Sequence, residues 1–424
     1  MIFNSVKEKF FFYKIPTILF SLIPLFLITG PFLSDLSISL ISLLFLIYCL
    51  KNKNFSYFKN KYFLFFLIFC GYLILNSLVN NFNLDSLKIS FFYFRYGIFV
   101  IAIFALLKTD YKFLKHFFYC IFICFVVLIS DGFYQYFVGK NILGFITSDG
   151  TRVSSFFHKE LILGSYVSRL WPVFFGLSIF FLKKESKFYF LFILIFILSE
   201  TLIFLSGDRS AFFYINLSAI FVILFSQKLF KLRLFTLLFS VLLLIFISLI
   251  NPTAWKRVFH QTLDGMNLVQ ENRDKQIYIF TEGHQRLYTS AYKMFLDNKI
   301  LGVGVKNYRN VCGDSKYYVN GVIACNTHPH NTYLQILTET GIIGFLFLII
   351  TIFYFCKYIF KHLMFKFKDK YYFNDFEICI LSGVLIYLWP FIPTGNVFNN
   401  WLNITMILNL PLLMWSRKNL QSVS

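Results

Sequence analysis

Apolar runs of about 17–25 residues, each the length of a helix that crosses a bilayer, recur along the whole of this sequence. Nothing else in it restricts the fold so tightly. Hydrophobic residues make up 58% of the 424 and charged residues only 14%, against about a quarter charged in ordinary soluble domains. The expected class is an all-α integral membrane protein. The 61 phenylalanines carry less meaning than their number suggests. Phe, Ile, Lys, Asn and Tyr are abundant while Ala and Pro are scarce, the bias that an AT-rich coding sequence gives, so the aromatics are not read as a base-stacking platform.

Twelve spans are expected, near residues 16–33, 36–50, 62–79, 89–107, 114–136, 161–182, 188–206, 210–227, 234–250, 332–356, 375–392 and 400–416. The first apolar run, Ile15 to Ile28, follows a basic start without a small-x-small cleavage site, and is read as a retained span. The net charge of +20 would suit a nucleic-acid partner, but the basic residues fall on alternate loops. One loop holds Lys51, Lys53, Lys59 and Lys61; the next holds Lys108, Lys112 and Lys115; then come Lys183, Lys184 and Lys187. Lys228, Lys231 and Arg233 follow, then Lys357, Lys361, Lys366, Lys368 and Lys370, and last Arg417 and Lys418. By the positive-inside rule these loops are cytoplasmic, as are both termini. The charge is an orientation signal, and no nucleic acid is implied.

The chain reads as one polytopic membrane domain, 1–424, with two substantial outer loops, 137–160 and 251–331. The second is large enough to form a helical periplasmic cap between spans nine and ten. Within it "HQRLYTSAYKMFLDNKILGVG" places Leu287, Ala291, Met294 and Phe295 at helical spacing, whereas the polar stretch before it suggests no definite structure. Six of the eight cysteines lie in or beside spans, where a thiol behaves as a small apolar residue. Cys312 and Cys325 share the large outer loop instead. An oxidising compartment would let them pair, closing a loop whose cross-link contributes about 3 kcal/mol; two free thiols are the alternative.

The outer loops hold few groups suited to chemistry: Arg152, Arg209 in "LSGDRSAFF", Arg286, and the pair His328 and His330 in "THPHN". A lone outer arginine is often just a solvated charge, and an interfacial histidine often just an anchor. The tight turn at Arg209 weakens that plain reading, because Asp208 beside it can orient the guanidinium. A guanidinium fork binds phosphate bidentately, and Arg286 at a helix start would add the positive end of the helix dipole. Together they suggest a ligand with a diphosphate head and a lipid tail. An imidazole titrates near neutrality and suits a proton acceptor for a sugar hydroxyl. The two histidines could instead ligate a metal, but no Cys, Asp or Glu partner has convincing spacing, so neither metal nor other cofactor is expected. Within the spans, Arg95 lies about two helical turns below the outer surface, within reach of a lipid phosphate. Arg169 lies near mid-membrane, where a backbone carbonyl or Glu200 would pair with it.

The pattern His330-Asn331, nine residues, then Gly341-x-x-Gly344 resembles the signature of bacterial O-antigen ligases, within the O-antigen ligase/polymerase superfamily of membrane glycosyltransferases. Arg286 followed by fifteen residues and Gly302, and the turn "SGDRSA", are similar to further elements of that superfamily. The resemblance implies transfer of a glycan en bloc from undecaprenyl diphosphate to a sugar hydroxyl of lipid A–core, at the periplasmic face of the inner membrane, without ATP or metal. It implies that Arg209 and Arg286 hold the donor diphosphate, that His330 activates the acceptor hydroxyl, and that Asn331 orients it, with His328, Arg152 and Arg95 in support. Asp208 departs from the usual small residue and would compete for Arg209. A polymerase is the nearest alternative. A protein O-oligosaccharyltransferase is disfavoured by the short stretch after Trp415. A transporter would be expected to carry broken polar helices at mid-membrane.

Overall fold

The apolar runs form helices in the computed structural model, which describes residues 1–424 except 2, 4, 81–82, 148–151, 182–187, 228–229, 251, 270–276 and 420–424. In chain order these are α1 (Val6–Thr29), α2 (Pro31–Lys51), α3 (Lys61–Val79), α4 (Leu84–Thr109) and α5 (Tyr111–Val138). Then come α6 (Leu163–Phe181), α7 (Phe188–Ser206), α8 (Arg209–Phe225) and α9 (Phe230–Ile250). After α9 the chain bends by 109° into α10 (Pro252–Gly265). The remaining helices are α11 (Glu282–Asp297), α12 (Thr332–Lys366), α13 (Asp375–Leu388), α14 (Asn400–Ile407) and α15 (Asn409–Asn419). Among the described residues, strand-like pairing is limited to two isolated bridges, Lys140 with Ile146 and Val319 with Val322. The basic residues Lys183, Lys184, Lys187 and Lys228 lie outside the described residues.

Six helices, α1 to α5 and α12, are long and apolar enough to cross a membrane, and the bent pair α9–α10 would make seven. The other expected spans also fold as helices: α6 and α7 have 19 residues, α8 17, α9 21 and α13 14. The expected last span carries a one-residue break in its helical bonding at Leu408, between α14 and α15, where the backbone itself stays helical. The break has a local cause. Pro411 has no N–H to bond back one turn, and the Asn409 amide bonds the carbonyls of Thr405 (3.3 Å) and Met406 (3.1 Å) instead of facing outward.

The core lies where α1, α2, α4, α5 and α6 meet, filled by Phe20, Phe99, Phe117, Phe125 and Phe174. α6, α8 and α13 pack on one another beside it. α12 sits at the edge against α3, with Ile342, Leu346, Ile349 and Phe353 left exposed on its apolar face, as suits a helix bordered by lipid.

α12 is longer than the expected 332–356 and is kinked at Gly341, whose φ is +62°. Into this kink runs the segment after α11. Val303 N donates to Thr338 O at 2.9 Å, Gly304 N to Glu339 O at 3.0 Å, and Ile342 N to Lys299 O at 2.9 Å. A Cβ at Gly341 would lie 2.1 Å from Ile300 O, and one at Gly302 would lie 2.5 Å from Thr338 O. Two backbones cross here at contact distance, so Gly302 and Gly341 of the sequence pattern are required by packing. The buried carboxylate of Glu339 closes the junction, accepting from Lys306 N (3.0 Å) and Tyr308 N (3.2 Å). This junction fixes α11 relative to the first turns of α12, and so fixes what each contributes to the site.

Candidate functional site

α11, the 326–331 loop and residues 390–394 are bonded together at the first turn of α12, and the Ser206–Arg209 turn is bonded to α10. The loop is built from its own polar groups. The disulfide between Cys312 and Cys325, with Cα atoms 5.1 Å apart, anchors its start. Asn331 caps α12, accepting from Tyr333 N (3.0 Å) and Leu334 N (3.1 Å), while its amide donates to Pro390 O at 2.9 Å. Both ends of that side chain are therefore engaged in holding the helix and the 390s loop. Asn331 is thus the N-cap of α12, a role the sequence disguised because an N-cap and a catalytic amide look alike.

His330 sits at φ +56°, left-handed backbone that costs a non-glycine residue about 1–3 kcal/mol. The conformation is held by two bonds to its carbonyl, from Thr394 N (2.8 Å) and from the Tyr288 hydroxyl (3.4 Å). Its ring Nε2 lies 3.1 Å from the Asn326 amide. His328 is 7% exposed; its ring centroid is 4.1 Å from that of His330, and its Nε2 meets Thr394 O at 3.2 Å. A third imidazole, His284 on α11, lies perpendicular to His330 at 5.7 Å and bonds the Thr281 hydroxyl through Nδ1 at 2.7 Å.

Burial lowers the basicity of all three rings. It brings His284 down to about 4, helped by the charges of His330 and Arg209, and His328 down to about 4, helped by His330. His330 is lowered by burial and partly restored by a hydrogen bond to the Thr394 carbonyl. At neutral pH the cluster is thus uncharged and able to take a proton. Among the described residues, no group of three or more His, Cys, Asp or Glu side chains is arranged to hold a metal ion.

The charge of Arg209 is felt at His284, where it adds to the effect of burial. Arg209 opens α8 and donates from Nη2 to Gln261 Oε1 of α10 at 3.1 Å. Asp208, expected to orient or compete for it, caps α8 instead, accepting from Ala211 N at 3.1 Å. Arg152 reaches the same turn, its Nε donating to Ser206 O at 2.9 Å.

The structure places Arg286 differently from the sequence expectation. α11 begins at Glu282, so Arg286 lies one turn inside it rather than at its start, and it pairs with Glu282 at 2.5 Å. No bond joins it to Arg209 or His330 among the described residues. Arg95 is likewise paired, with Asp35 at 2.6 Å, and lies over the Tyr96 ring. Arg169, 4% exposed, finds neither Glu200 nor a backbone carbonyl. It lies over the rings of Tyr214 and Tyr387 and donates to Ser165 Oγ at 3.2 Å, while Glu200 accepts from Ser240.

Three residues escaped the sequence reading: His284, Gln261 and Arg257. Arg257 on α10 lies close enough to Arg209 for their charges to repel. "EGHQR" at the start of the amphipathic helix was a usable signal for His284; nothing local marked the other two.

Residues 191–349 match the family model described as O-antigen ligase. No curated protein matches the chain. The matched stretch holds Arg209, His284, Arg286, both disulfide cysteines and His330, whereas Arg95, Arg152 and Arg169 lie before it.

Proposed function

We propose that this chain, which matches the O-antigen ligase family model over residues 191–349, transfers a glycan en bloc from undecaprenyl diphosphate to a sugar hydroxyl of lipid A–core. Its architecture in this reading is twelve spans with both termini in the cytoplasm of a bacterium and the 251–331 segment as a cap on the periplasmic side of the inner membrane. The observation that carries the proposal is the cluster of three neutral imidazoles at the start of α12, with the His284 and His328 rings 5.7 Å and 4.1 Å from that of His330. The charge of Arg209 acts on His284 from the Gly207 turn.

The chemistry follows from what each group can do. An acceptor hydroxyl donates its proton to a neutral imidazole, assigned to His330, as its oxygen attacks the anomeric carbon. The bond from that carbon to the diphosphate oxygen breaks, and the electron pair leaves with the diphosphate. Inversion results from the single displacement. Arg209 neutralises the charge that develops on the leaving group. Arg286 joins it only by exchanging Glu282 for a phosphate oxygen, a modest cost because that pair is half exposed. Guanidinium groups bear the charge throughout, so the scheme requires no metal and no ATP.

The test is the lipopolysaccharide pattern of a deletion strain. A ligase defect removes every rung above the core and accumulates lipid-linked glycan. Core plus a single repeat would assign the chain as a polymerase instead, and an unchanged ladder would overturn both.

A further inference from the structure

α10 is the one helix of the site that turns away from its span, and what holds it there is apolar. Val258 is buried against Phe204 of α7 and Leu244 of α9, with Phe212, Ala254 and Phe259 packed around them. Residues Lys256–His260 adopt a wider, π-type turn, a local distortion often found at functional sites. It aims Arg257 at the turn that carries Arg209. A Cβ built on Gly207, whose φ is +64°, would lie 2.6 Å from Arg257 Cδ, 2.9 Å from Arg257 Nε and 3.5 Å from Arg152 Nε. The glycine is what lets the Arg257 and Arg152 side chains come this close to the turn. Arg257 Nε is buried without a hydrogen-bond partner, and among the described residues no carboxylate pairs with Arg257 or Arg209. Gln261, one turn further along α10, bonds Arg209 directly. Like charges gathered at a buried turn, with a donor unused, describe a site built for a polyanion.

We propose that Arg257 is a diphosphate-binding residue, which with Arg209 clamps the two phosphates of a polyprenyl diphosphate across the Gly207 turn, so that α10 is part of the donor site. This rests on the donor class proposed above. It goes further in requiring recognition of the second phosphate by a residue outside the sequence pattern.

Binding tests it without any transfer step. Full-length protein in detergent is titrated with undecaprenyl diphosphate and, separately, with undecaprenyl monophosphate, with phosphatidylglycerol as the bulk-lipid control. Wild type is expected to prefer the diphosphate. Arg257→Ala should weaken diphosphate binding by about ten- to hundredfold, the worth of a hydrogen bond to a charged group, while monophosphate binding changes far less. Arg257→Lys keeps the stem and the charge, so it controls for folding and should retain part of the preference. Equal weakening of both lipids, unchanged diphosphate binding in Arg257→Ala, or equal competition by phosphatidylglycerol would each overturn the clamp. If the clamp is seen but the wild-type protein transfers no glycan, the donor site stands and the transferase reading falls. If glycan is transferred while Arg257→Ala binds as wild type does, the transferase reading stands and the clamp falls.

Discussion

Arg95 and Arg209 both sit on helices of the apolar bundle, yet their surroundings are opposite. Arg95 is closed: Asp35 takes its charge at 2.6 Å and the Tyr96 ring covers it. Arg209 is open: its side-chain partner is the neutral Gln261 amide, the Asp208 carboxylate beside it is turned to cap α8, and the charge of Arg257 opposes its own. A cation paired with a carboxylate has already spent its electrostatics on the fold. One held against a like charge keeps its electrostatics available to an anion. In the proposed reading the rim at Gly207 takes the donor phosphates, whereas the Arg95 pair ties α2 to α4.

This contrast can be attacked from both sides. The largest effect belongs to the proton acceptor. His330→Ala should lower transfer by about 10²–10⁴-fold, read as loss of glycan-bearing lipopolysaccharide with the lipid-linked donor accumulating. Arg209→Ala should follow with about 10²–10³-fold, seen in kcat and in donor affinity alike. Arg95→Leu alone should destabilise the protein by up to about 3–5 kcal/mol, because Asp35 is left unpaired, whereas the double replacement with Asp35→Leu should recover most of the loss and keep donor affinity. A double variant that stays folded but cannot bind donor would erase the distinction between the two arginines.

Acid should act on the imidazole cluster in a defined direction. The folded-state values of His284 and His328 are about 4, against about 6.5 in an unfolded chain. Between those values the unfolded chain binds protons that the folded chain refuses, so stability falls as pH drops through that window. His330 is lowered too, so the acid limb of the pH–rate profile should lie below the ordinary imidazole value. A limb at or above it would mean that the titrating group is not this ring. The smallest effect is expected at Glu282→Gln, which releases Arg286. Donor affinity should rise a few-fold while stability changes by about 0.3–0.5 kcal/mol; no gain would leave Arg286 a structural residue.

What the sequence disclosed divides along the same line. Helical class and the outline of the apolar bundle were legible because hydrophobic periodicity encodes them, and Arg209 and His330 stood out because a local pattern marks them. The glycines at 302 and 341 were legible as a pattern but not as a crossing of two backbones. Asn331 was legible as important but not as a helix cap. Arg257 and Gln261 were hidden, because only the 109° bend brings α10 back over the turn. The break at Leu408 was hidden as well, since continuous apolar sequence masked a proline and an inward-bonding asparagine.

The most direct measurement is single-turnover transfer by the purified protein reconstituted in vesicles, with undecaprenyl-diphosphate-linked glycan as donor, lipid A–core as acceptor and no ATP. The account predicts transfer by the wild type, a loss of tenfold or more in Arg209→Lys because an ammonium cannot replace the bidentate fork, and no detectable product from His330→Ala. Near-wild-type turnover in both variants would contradict it.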